Sequence, residues 1–131
     1  MRGIPASKWV WCGYAGHFIG SSSCLLHLHT RVGDYRISTV GDYHPADLDD
    51  APRYRPTKEA EEIGCDRKYE TYVFRVTGHG EHGEGEVVSF SEIWSDSYNE
   101  AIDAERGHME MCRLFARVAA GVESEPSWVP T

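Results

Sequence analysis

The clearest hydrophobic pattern in the chain lies between Cys24 and Val32. Cys24, Leu26, Leu28, Thr30 and Val32 fall on one side, and Leu25, His27, His29 and Arg31 on the other, as they do when successive side chains of a strand alternate. Gly33-Asp34 follows, a pair suited to a two-residue hairpin turn because glycine tolerates the positive φ such turns require. The turn fixes a register in which Val32 pairs with Tyr35, Thr30 with Ile37 and Leu28 with Thr39, while Arg31 meets Arg36 and His29 meets Ser38 on the other face. Aromatic and branched residues predict further strands at Lys8–Cys12, Tyr69–Val76 and Glu86–Phe90. Near the end, Ser97-Tyr98-Asn99-Glu100 has the spacing of a capping box and Gly121 stands where a helix stops. The intervening apolar positions, Tyr98, Ala101, Ile102, Met109, Cys112, Phe115, Ala116 and Ala119, predict an amphipathic helix over 97–120. The expected fold is α+β, a small antiparallel sheet of hairpins with one long C-terminal helix packed on one face.

Two segments interrupt these patterns. Asp42–Glu62 carries three prolines among acidic residues, and Gly78–Glu86 alternates glycine with His and Glu, so the first reads as a loop and the second as a mobile hairpin tip. At 131 residues the chain fits one domain, with an ordered core over about 8–121 and a tail from 122 to 131. Its net charge of −8 argues against broad binding to nucleic acid or anionic membranes. No apolar run approaches the roughly 20 residues that cross a bilayer, and Met1-Arg2-Gly3-Ile4-Pro5 lacks the apolar stretch of a signal peptide, so the expected location is the cytoplasm.

Four groups of residues carry candidate chemistry, one of them His79-Gly80-Glu81-His82, whose imidazoles and carboxylate could hold a divalent cation as the alternative to a mobile tip. Glu105, His108 and Cys112 share one side of the predicted helix, and a structural zinc held by Cys12, Cys24, His108 and Cys112 would join that helix to two strands. These cysteines lack any short CxxC spacing, and the competing reading makes the four ordinary core residues. His27, His29, Arg31 and Arg36 cluster on the outer face of the first hairpin, where two arginines set opposite each other require a counter-anion from a partner, a ligand or the protein itself. The acidic run Asp47–Asp50, with Glu59, Glu61 and Glu62, suits either a solvated loop or a surface for a basic partner.

Trp9–Phe18, Ile37–Tyr43, Tyr69–Phe74 and Gly107–Cys112 together resemble small accessory proteins encoded by tailed phages of actinobacteria. The resemblance implies a gene product acting in the host cytoplasm and brings no activity, cofactor or catalytic residue with it. No Walker loop, dinucleotide fingerprint, HExxH or nucleophile elbow occurs, whereas Trp9, Trp11, Trp94 and Trp128 suit partner recognition. The expectation is therefore a non-catalytic protein that binds and modulates a host or phage macromolecule, most simply a protein. The alternative is a phosphoester- or nucleotide-acting enzyme that uses the His/Arg face of the first hairpin.

Overall fold

Branched and aromatic residues two apart draw the chain into strands because such side chains pack well on a pleated surface. A computed structural model describes residues 9–17, 23–44, 60–63 and 67–127. It contains β1 (Val10–Cys12), β2 (Cys24–Val32), β3 (Tyr35–Tyr43), β4 (Tyr69–Thr77) and β5 (Glu86–Tyr98), followed by one helix, α1 (Ala101–Ala119). The five strands pair antiparallel in chain order and α1 lies across one face, the α+β arrangement that the sequence predicts. Gly33, at φ 61°, and Asp34 turn β2 into β3, and every pair dictated by that turn is present, from Val32 opposite Tyr35 to Leu28 opposite Thr39.

The helix-side face holds the apolar core: Val32, Ile37 and Val73 from the sheet against Cys112, Phe115 and Ala116 from α1. Each fully buried large side chain there contributes about 1.5–3 kcal/mol. The helix is rotated from its expected setting. Its buried positions are Ala104, Gly107, His108, Cys112, Phe115 and Ala116, whereas Ile102 is 52% exposed. Gly107 allows this, since a Cβ there would lie 2.2 Å from the Tyr98 hydroxyl.

The helix also starts later than the capping-box spacing predicts. Ser97 sits in β5 opposite Glu70, and the N-cap is Glu100, which makes no side-chain cap bond. The β-ladder satisfies backbone groups over several residues, and a single cap worth about 1 kcal/mol does not outweigh it. Register shifts near Phe74 break the alternation of β5, which is why only its first part is legible as a strand. At the other end Gly121, at φ 76°, closes α1: its N–H donates to Val118 O and the Val122 N–H to Arg117 O. The tail then returns to the sheet, where Glu125 accepts from the Tyr35 hydroxyl at 2.7 Å.

Candidate functional site: the sheet face opposite the helix

Strand pairing sets Cys12, His29, Ser38, Tyr72 and Ser95 in one rung across all five strands. The segment after β1 folds over this rung. Gly16 fits because it has no side chain: a Cβ there would lie 2.6 Å from Ser38 Oγ and 2.9 Å from His29 Cδ2. Its N–H donates to Ser38 Oγ at 3.1 Å. His17 Nδ1 lies 2.7 Å from the same oxygen, and His17 Nε2 lies 3.1 Å from Glu70 Oε1. One proton arrangement satisfies all three residues, with Ser38 donating to Nδ1 and Nε2–H donating to the Glu70 carboxylate. The order hydroxyl, imidazole, carboxylate is that of an activated nucleophile. Access is missing, however: Ser38 is 0% exposed, and the His17 ring is wedged edge-on against Tyr72 with centroids 4.9 Å apart.

The hairpin cluster is divided by the fold. His27 is exposed opposite Val40, whereas His29 is fully buried, with Nδ1–H donating to the Tyr14 carbonyl at 3.2 Å. Burial, reinforced by the Arg36 charge, pushes the His29 pKa down to about 4. Arg31 and Arg36 do stand opposite each other, and what lies over them is the β4–β5 loop. Arg36 donates to the Gly85 carbonyl at 2.7 Å and the Glu84 carbonyl at 3.3 Å, and Arg31 donates to the carbonyls of Gly33, Gly78 and Gly83. Carbonyl dipoles, with Asp34 beside Arg31 at 3.5 Å, thus occupy the place expected for a counter-anion.

The Gly-rich segment that joins β4 to β5 accordingly folds back over the sheet, with residues 78–82 exposed and 83–85 buried. Gly78, Gly80, Gly83 and Gly85 all have positive φ, and the carbonyls of Gly78, Gly83 and Gly85 accept from the arginines. Glu84 locks the loop by accepting from the His82 N–H at 2.8 Å and the Tyr14 hydroxyl at 3.0 Å. The His82 amide bond is the main reason its carboxyl is held down at about 2.

The four expected zinc ligands do not meet. Trp11 stacks toward His108 on the helix side, with ring centroids 6.0 Å apart, so Cys12, the next residue, points to the opposite face. Cys24 lies about 20 Å along β2 from Thr30, the residue that His108 touches. His108 has no free lone pair: Nε2 is 2.9 Å from Thr30 Oγ1 and Nδ1 is 2.8 Å from Thr39 Oγ1, which continues to Thr71 at 2.6 Å. Burial pushes the Cys112 thiol up to about 12 and the His108 imidazole down to about 4. Among the described residues no group of three or more His, Cys, Asp or Glu side chains is placed to hold a metal ion. Asp47–Asp50 and Glu59 lie outside the described residues, as does Trp128, while Glu61 and Glu62 are exposed.

An open groove lies elsewhere among the described residues. β5 ends the sheet, and between it and α1 runs a groove of about 390 Å3 lined by Trp94, Asp96, Tyr98, Asp103, Arg106 and Glu110. This groove was not legible in the sequence, because β5 past Phe90 was not. Compared with protein-family models, curated proteins and solved structures, the chain matches none. Among the described residues no helix is long and apolar enough to cross a membrane.

Proposed function

We propose that the chain is a small non-catalytic accessory protein of the host cytoplasm that binds and modulates a host or phage macromolecule. The observation that carries this reading is the burial of its reactive groups. Ser38, His29, His108 and Cys112 are each 0% exposed and lie within internal packing or hydrogen bonding. A nucleophile and its base act on a substrate only from an accessible cleft. The exposed surface instead carries large side chains suited to contacts with a partner, including Trp11 at 51% and Tyr14 at 46%. Tagged protein expressed in an actinobacterial host, with and without phage, tests the reading by light scattering on the purified complex. A stoichiometric complex is expected, and a protein that stays alone in both conditions contradicts it.

A second reading, a hydrolase acting through the face opposite the helix, draws on the Ser38–His17 and His17–Glu70 distances of 2.7 and 3.1 Å. Treatment with a fluorophosphonate probe and assay on nitrophenyl acetate and nitrophenyl phosphates separate the two. No labelling and no turnover are expected; labelling or turnover that Ser38→Ala abolishes would establish the hydrolase.

A further inference from the structure

We propose that a basic, extended segment of a partner protein docks along the outer edge of β5 as an added strand and seats a Lys or Arg side chain in the groove between β5 and α1. The proposal rests on the binding-protein reading above and names the site and the chemistry of the partner.

The edge supplies the first argument. An edge strand offers a row of free N–H and C=O groups, and an extended peptide can complete them. β5 spans Glu86–Tyr98, whereas the opposite edge, β1, has only Val10–Cys12. Among the described residues no strand pairs with the outer side of β5, and within it the Ser97 N–H donates to the Asp96 carboxylate at 2.8 Å. Its regular part runs from Trp94 opposite Val73 to Tyr98 opposite Tyr69, beyond the register shifts. Proteins commonly guard such edges with Lys or Pro. β5 has neither, and its charged residues, Glu86, Glu92 and Asp96, are all acidic.

Charge supplies the second. Trp94, Asp96 and Tyr98 alternate onto the helix side, facing Asp103, Arg106 and Glu110 across the groove. Three carboxylates therefore surround one guanidinium. Among the described residues none of the three is in an ion pair, whereas Glu70, Glu84 and Glu125 all have partners. Trp94 and Met111 line the groove and offer apolar surface for the stem of a long cationic side chain. A second copy of β5 is disfavoured as the occupant, because antiparallel or parallel pairing would bring acidic strands together. A basic strand meets complementary charge along both the edge and the groove.

The test uses the full chain and a short fluorescent peptide in which Arg and Val alternate, followed by anisotropy at low salt. Two further peptides of the same charge carry N-methyl groups on alternate residues, one in each phase, so that each blocks one backbone edge. One of the two is expected to bind about tenfold more weakly than the parent while the other is little affected, and a Glu/Val peptide is expected not to bind. The variant Asp96→Asn/Asp103→Asn/Glu110→Gln is expected to weaken the parent peptide about tenfold with an unchanged circular dichroism spectrum. Equal binding of all three basic peptides would reduce the contact to charge alone and overturn strand addition. Unchanged affinity of the triple variant would overturn the groove, and absence of binding or self-association through β5 would overturn the proposal outright. The complex-capture experiment is independent of these outcomes: a complex captured while the peptide fails would leave the binding-protein reading standing without this site.

Discussion

Arg36 on β3 and Asp96 on β5 belong to opposite faces of one sheet and use charge in opposite ways. Arg36 is buried and gives its N–H groups to the Glu84 and Gly85 carbonyls, so its charge holds a loop in place. Asp96 lines an open groove with Asp103 and Glu110, and among the described residues its carboxylate has only the Ser97 N–H, at 2.8 Å, as a partner. Charge buried with dedicated partners is architecture, and removing it leaves polar groups stranded. Charge that is exposed and unpaired contributes little to folding and remains available to a partner. The loop-covered face of this protein and its open groove differ in that respect.

The largest expected effect is on pH dependence. His29 and His108 are fully buried, and burial lowers each from about 6.5 to about 4. Between those values the unfolded chain binds protons that the folded chain refuses, so stability falls as pH is lowered from 6.5 to 4 and the loss from these groups levels off below that. Each histidine accounts for roughly 3 kcal/mol, read from urea midpoints across the range. A His29→Gln variant should show a shallower slope, and an unchanged slope would mean that His29 is solvated.

Arg36→Gln is next. Two carbonyls lose their charged donor, and the expected loss is about 1.5–3 kcal/mol, visible in denaturant titration. Combining it with Arg31→Gln should lower stability further and open the 78–85 loop. A double variant that keeps its stability and loses only anion binding would make these arginines an outward-facing patch. Ser38→Ala removes the acceptor of the Gly16 N–H and the partner of His17, for an expected loss of about 1–2 kcal/mol by thermal unfolding. The smallest effect belongs to the groove: neutralising Asp96, Asp103 and Glu110 together should move stability by less than about 0.5 kcal/mol while weakening the basic peptide. A large loss of stability there would place the carboxylates among the structural charges.

The sequence made legible what short-range rules govern. Period-two alternation and the Gly33-Asp34 turn were enough to pair His29 with Ser38 and Arg31 with Arg36, and helical spacing brought Cys112, Phe115 and Ala116 to the core. Contacts made over long separations escaped it. The Ser38–His17–Glu70 connection depends on the segment after β1 folding across the sheet, and the partners of Arg36 lie 48 and 49 residues away in a glycine-rich loop. The zinc expectation failed for the same reason: the β1–β2 pairing, which no tight turn fixes, puts Cys12 and His108 on opposite faces. The hydrophobicity of Ile102 fits the apolar stripe, but the buried Gly107 and His108 set the rotation of α1 and leave Ile102 exposed.

Among the described residues the polar face is covered by the segment after β1 and by the β4–β5 loop, whereas the β5 edge and the groove beside it are open. Native-state amide hydrogen exchange tests it at the Gly16 N–H bonded to Ser38 Oγ, the His82 N–H bonded to Glu84 and the Gly85 N–H bonded to His79 O. All three are expected to be protected to within about tenfold of the β2–β3 ladder amides, while outward-facing amides of β5 between Trp94 and Tyr98 that lack an acceptor within the protein exchange fast. Fast exchange at Gly16, His82 and Gly85 beside a protected β2–β3 ladder would contradict it, because the face bearing Ser38, His17 and Glu70 would then be open to a substrate.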